Sequence, residues 1–273
     1  MVHSPGVGHN LQDHLMVGIN FDVSPGQGLD PLEMFYPSSW LSLLRGEGPL
    51  TSTGAGVLAH VRTPVAHPQD PRPDIQLHFT AFTMATDRGQ VLKKNFGFKD
   101  VDPIDEWISK HFGLDTGGIL PTLVRPKSRG SIKLRSSDPF DHPIIEPNYL
   151  SDQGDVDTLV AGLELAHQLV QTEALRGAGA QLWEPDPLCG HTAFLTDTYW
   201  ECYVRHYALT VYHPVGTAAM GSVLDSQLRV VGVRGLRVAD ASVMPRIVGG
   251  NTNAPTIMIG EKAADFIIQD ALD

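Results

Sequence analysis

The sequence predicts an α+β fold, with antiparallel-type strands in its first half and helices in its second. Three observations carry that expectation. Val17–Val23 and Asp74–Thr80 alternate apolar and polar residues with period two, as a half-buried strand does. Val156, Leu159, Val160, Leu163 and Val170 fall on one stripe at 3.6-residue spacing. From Gly235 onward the pattern changes to a short strand followed by a helix.

Taken in order, residues 4–14, SPGVGHNLQDH, read as a polar loop punctuated by glycine. Residues 24–56 are turn-rich, with a short helix near Leu32–Leu44. Val57–Val61 reads as a strand, and the four prolines within Thr63–Pro73 make that stretch a loop. Residues 84–115 mix charges with aromatics and show no strong period, so little structure is expected there. Leu120–Val124 and Gly130–Arg135 read as strands, and Pro139–Pro147 as an extended loop. Helices follow at Asp152–Gln171 and at Asp197–Ala208, the second with Thr196 as its N-cap. Gly235–Asp240 is a short strand ending in an acid, and Pro255–Asp270 is the last helix. There Pro255 sits in the first turn, where a missing N–H costs nothing.

Composition bounds the function. The chain has 273 residues and a formal charge of −11, which argues against nucleic acid or an anionic membrane as the main partner. No run approaches the ~18 apolar residues that a spanning helix needs, so no integral membrane segment is expected. Two cysteines, Cys189 and Cys202, are too few for a disulfide scaffold; thiols in a reducing, cytoplasmic setting are the default. The start has neither a basic nor an apolar leader region, so no secretory signal is expected. Its early Pro-Gly turn reads like the interior of a longer protein.

Few groups could carry chemistry. In Val211-Tyr-His-Pro-Val-Gly-Thr217, Pro214 restricts the backbone of His213, and an imidazole with a pKa near ~6.5 is the usual general base. In Gly249-Gly-Asn-Thr-Asn-Ala-Pro-Thr256 a glycine pair leads into a helix N-terminus, where unpaired N–H groups suit an anion or developing negative charge. An ordinary asparagine cap explains the same residues without a ligand, and a structural histidine explains His213. His3, His9 and His14 lie near Asp13, but their irregular spacing on a loop does not make a metal site; Cys189 with His191 is no stronger. Gly54-Ala-Gly-Val-Leu-Ala59 matches a loose dinucleotide pattern but lacks the strand before it and the helix after it. No nucleophile elbow and no phosphate-binding P-loop occur.

Three stretches together resemble the flavin-dependent glucose–methanol–choline oxidoreductases. They are Tyr212-His-Pro-Val-Gly-Thr-Ala-Ala-Met-Gly221, Leu236-Arg-Val-Ala-Asp-Ala-Ser-Val-Met-Pro245 and Gly250-Asn-Thr-Asn-Ala-Pro-Thr-Ile-Met-Ile-Gly-Glu-Lys-Ala-Ala-Asp265. Pro5–His14 and Arg125–Ser131 resemble internal stretches of the same family. The resemblance implies a 1–15 segment associated with an FAD domain and a 16–212 substrate domain built on an antiparallel sheet. A 213–273 segment would carry the active site and complete a Rossmann-like FAD domain. The glycine-rich half that grips the FAD diphosphate would then be a missing N-terminal half, in the same parent chain or a separate subunit.

It further implies FAD as cofactor and oxidation of a primary alcohol to an aldehyde. His213 would be the base and Asn251 the partner that holds the substrate oxygen. Asn253, Pro255 and Thr256 would lie at the flavin pyrimidine edge, and Asp240 and Ala241 by the ribityl and diphosphate portion. Two other functions share the resemblance: a flavin-containing hydroxynitrile lyase, and a non-catalytic half that acts only with an N-terminal partner.

Overall fold

The computed structural model describes residues 3–29, 35–90 and 102–272. The chain divides into two units, each assembled from separated stretches of sequence. The first comprises Met1–Leu15, Leu123–Asp155 and Thr210–Asp273; the second comprises Met16–Thr122 and Val156–Leu209.

The second unit is built on an antiparallel sheet. Its strands are β1 (Ile19–Asp22), β2 (Val57–Val61), β3 (Ile75–Thr80), β4 (Thr116–Leu123) and β7 (Gln181–Leu182). β2 pairs with β3, β3 lies beside β4, and β1 pairs with both β4 and β7. The register sets Ile19 against Ile119 and Phe21 against Gly117. That glycine is required by packing, since a Cβ at position 117 would stand 2.8 Å from the Phe21 ring. Strand β4 therefore begins earlier than the expected Leu120. Gly117 and Gly118 carry no side chains and so hide the alternation on which the sequence reading relied.

Helices cover this sheet. α3 (Gln153–Val170) buries Val156, Leu159, Leu163 and Val170 of the stripe seen in the sequence, together with Ala166; Val160 is half-buried at its margin. α5 (Asp197–Tyr207) is capped by Thr196, whose hydroxyl accepts the Tyr199 N–H at 3.3 Å. It buries Tyr199, Trp200, Tyr203, Val204 and Tyr207 on one face. α1 (Pro37–Leu44) is the short helix expected near Leu32–Leu44, and positions 30–34 lie outside the described residues. α4 (Glu173–Gly177) follows α3. α2 (Asp102–Ser109) falls where little structure was expected. Ile104, Trp107 and Ile108 do recur at helical spacing and are buried, but over a run too short to stand out among charges.

In the first unit, β5 (Ser131–Lys133) and β6 (Ile144–Glu146) form a two-stranded ladder. The second of these was expected to be loop, because Pro143 and Pro147 bracket only three strand residues. Residues 123–155, which the sequence reading places inside a 16–212 domain, pack here with 1–15 and 210–273. Leu11 and Gly130 exchange both backbone hydrogen bonds, at 3.1 and 2.9 Å, and the Ile132 N–H donates to the Gly8 carbonyl at 2.6 Å. Gly8 has φ +78°, and a side chain there would run into the Ile132 carbonyl oxygen.

Val215, Val223, Leu224, Leu228, Val243 and Met244 form this unit's core with Ile259 and Ala263 of α6 (Asn253–Leu272). The strand expected at Gly235–Asp240 makes only one isolated bridge, Arg229 with Arg237, and Leu236 is exposed. Among the described residues that stretch has no ladder partner. The end of α6 is tied down by Arg229 and Arg237, which both bond Asp270 and hold its carboxyl down to about 2.

The expected free thiols are instead a Cys189–Cys202 disulfide. It joins the loop before α5 to the helix itself. The His206 ring lies within 4.8 Å of these sulfurs, but a disulfide offers no thiolate to a metal ion. Non-reducing peptide mapping should recover the 189–202 link. Reduction should lower unfolding free energy by ~3 kcal/mol, the chain-entropy value for a loop of this size. Two free thiols with unchanged stability on adding reductant would contradict the assignment.

Candidate active site

The residues with chemical potential in the first unit are organised by one short segment, Asn10–His14. Its backbone is fixed first. Gln12 and Val215 exchange N–H···O bonds at 3.0 and 2.9 Å, and the Val211 N–H donates to the His14 carbonyl at 3.0 Å. The side chains of this segment then reach the loop before α6. The Asn10 and Gln12 amides both donate to the Pro245 carbonyl, each at 3.2 Å, and the Gln12 amide oxygen accepts the Ile247 N–H at 3.2 Å.

Asp13 is 5% exposed, and its carboxylate is fully engaged. One oxygen accepts the backbone N–H of His213 at 3.0 Å. The other accepts the Tyr149 hydroxyl at 2.6 Å and the Thr210 hydroxyl. Burial, followed by the bond to Asp13, pushes the Tyr149 phenol well above its ordinary value, so it stays a donor. Thr210 in turn accepts the Tyr212 N–H at 2.8 Å. Tyr212 has φ +61°, a left-handed conformation that costs a side-chain-bearing residue of order 1 kcal/mol. That turn, followed by Pro214, fixes the backbone on both sides of His213.

His14 is 1% exposed and lies edge-on to His213, with ring centroids 5.2 Å apart. Its Nδ1 is 3.0 Å from Nδ1 of His213, and its Nε2 is 3.0 Å from the Val248 carbonyl oxygen. Burial, with repulsion from His213 second, lowers the His14 pKa to about 4, so this ring is neutral near pH 7. His213 is half-buried, and desolvation lowers its pKa below 6.5 against the opposing pull of Asp13.

The other sequence candidates lie around this frame. Asn251 is exposed in the turn three residues beyond Val248. Asn253 is exposed in the first turn of α6; Pro255 and Thr256 beside it are half-buried. Thr256 is committed within the helix, since its hydroxyl donates to the Thr252 carbonyl at 2.7 Å. Asp240 accepts the Ser242 N–H at 2.7 Å and caps a 3-10 turn at Ala241–Val243, with Ala241 half-buried. His213 is thus tied through His14 to the loop that carries Asn251. Asp240 and Ala241 belong to a separate turn.

Sequence reasoning missed four contributors: Asp13, His14, Tyr149 and Thr210. The Asp13-His14 pair attracted notice only as a weak metal candidate. His14 turns to a carbonyl and a second imidazole.

A family model described as GMC oxidoreductase matches residues 126–260. Glucose dehydrogenase [FAD, quinone] of Drosophila pseudoobscura pseudoobscura is 38% identical over 271 residues, which is 96% of this chain and 40% of that protein. Alcohol dehydrogenase [acceptor] of Pseudomonas putida is 36% identical over 278 residues, covering 98% of this chain and 45% of that one. Among solved structures, formate oxidase of Aspergillus oryzae RIB40 shares the fold, with a TM-score of 0.78 at 24% identity over 98% of this chain and 48% of that one. The chain therefore spans less than half the length of the relatives it matches. It belongs to the GMC oxidoreductase family.

Proposed function

We propose that this chain supplies the catalytic base and part of the cofactor site for FAD-dependent oxidation of a primary alcohol to an aldehyde. The hydrogen-bond order around His213 carries the reading. A carbonyl oxygen can only accept, so His14 must present a protonated Nε2 to Val248. A neutral ring has one N–H, which leaves His14 Nδ1 as an acceptor. His213 must then donate from its own Nδ1. Its Nε2 keeps a lone pair, the state a general base needs. In this reading Nε2 of His213 takes the hydroxyl proton of the alcohol, and the Asn251 amide holds the substrate oxygen in place.

The fit to a flavin rests on the approach to α6. Gly250 has open space where a Cβ would be, and Asn251, Asn253 and Ala254 are exposed at a helix N-terminus. Such an end presents free N–H donors and ~0.5 of a positive charge, suited to an electron-rich flavin edge. Asn253, Pro255 and Thr256 would hold that edge, and Asp240 and Ala241 would border the ribityl and diphosphate portion. Bound FAD would supply the acceptor for the hydride that leaves the carbinol carbon.

A further part of the protein, the N-terminal half of the resemblance, is also supported. Ile257, Met258, Ile267, Ile268 and Leu272 are exposed along α6, as are Val231 and Leu236. Apolar surface of that extent marks a face that packs against something else.

In the FAD-containing protein, assembled with its N-terminal part, His213→Ala should slow anaerobic flavin reduction by ~10²–10⁴-fold while leaving flavin absorbance intact. An unchanged rate would reject His213 as base. A native flavin that stays oxidised with every alcohol would reject the oxidation itself.

The pH profile follows from the same ring. Because a base works only when neutral, the rate is lost as pH falls through the His213 pKa. Desolvation places that pKa below 6.5, so the plateau should extend below pH 6.5 before activity declines. An inflection above pH 6.5 would contradict the environment described for His213.

A further inference from the structure

The second unit holds a mostly apolar pocket, partly open to solvent. Its walls are mostly apolar: Met16, Phe82, Met84, Leu120 and Leu209. The polar groups that reach it are nearly all committed elsewhere. The Thr80 hydroxyl donates to the Phe82 carbonyl at 2.8 Å, and Thr83 pairs with Thr116 at 2.9 Å. Tyr203 donates its hydroxyl to the Gly18 carbonyl at 3.0 Å, and Tyr207 donates to Asp186. Asn20 is the exception. It lines the cavity, and its side chain bonds to no described residue. Among the described lining residues there is no Asp, Glu, Lys, Arg or His.

We propose that this cavity binds the hydrocarbon body of an uncharged aromatic or medium-chain aliphatic alcohol, with Asn20 available to one polar substituent. A sugar needs many hydrogen-bond partners, and desolvating its hydroxyls against Met, Leu and Phe side chains would be unfavourable. A quaternary ammonium ion needs a facing carboxylate or open ring faces. Here the two tyrosine rings pack on each other, with centroids 4.6 Å apart, and none of the described lining residues is an acid. Apolar walls with one convergent polar group are the ordinary form of a site for a small apolar ligand. That the ligand is an alcohol rests on the oxidation reading above; the apolar, uncharged class rests on the cavity alone.

The test is binding to the 273-residue chain without flavin, by saturation-transfer NMR, using benzyl alcohol, 1-hexanol, choline and glucose. Benzyl alcohol and 1-hexanol should bind saturably and displace one another; choline and glucose should not. Asn20→Asp, close to isosteric, places a charge in the space and should weaken alcohol binding ~10-fold or more with an unchanged thermal midpoint. Leu120→Asp, at a half-buried position, should do the same. Saturable choline or glucose binding, absence of alcohol binding, or alcohol binding indifferent to both variants would each overturn the proposal. Failed binding here would leave oxidation of a polar alcohol standing, and failed flavin reduction would leave this binding untouched.

Discussion

The first unit depends on the buried carboxylate of Asp13. It joins the three separate stretches of chain that make up this unit: its own, that of Tyr149, and that of Thr210 and the His213 backbone. An ion taken out of water costs several kcal/mol even after relaxation. Hydrogen bonds to a charged group contribute about 1.5–3 kcal/mol each, so three donors offset that cost and fewer would not. The carboxylate therefore selects one arrangement of the three stretches. Its neighbour His14 is placed by the same constraint.

Consequences for chemistry follow from order rather than from strength. No single contact at His213 is unusual in energy. A carbonyl at one end, however, fixes the tautomer of His14, and His14 fixes that of His213. Such second partners orient a base without touching its reactive nitrogen, as they do for metal-bound imidazoles. Tyr212 adds a backbone contribution. Its left-handed turn is tolerated because Thr210 holds its N–H, and it sets the direction in which His213 leaves the chain.

Much of the fold was legible in the sequence because period-two and period-3.6 patterns survive single-chain reading. The stripe on α3, the Thr196 cap of α5 and the strand at Ile75–Thr80 all follow that logic. Where the structure departs, a specific physical cause hides the signal. Gly117 and Gly118 leave β4 without alternation; α2 is too short for its apolar period to stand out; and a pairing of two cysteines is invisible to a count of two. The site divides in the same way. His213 and the turn before α6 stand out as candidates from local chemistry: a proline-locked imidazole, and glycines leading into a helix. Asp13, His14, Tyr149 and Thr210 do not, because their meaning lies in contacts across 136 to 234 residues of sequence. The short Asp-His pair acquires its role only when the chain returns to it.

The central claim is the proton order from Val248 through His14 to His213. Imidazole ¹⁵N NMR on the histidine-labelled chain at neutral pH reads it directly. The account predicts two neutral rings, His14 protonated at Nε2 and His213 protonated at Nδ1. A His213 ring protonated chiefly at Nε2, or an imidazolium at either position, would contradict it.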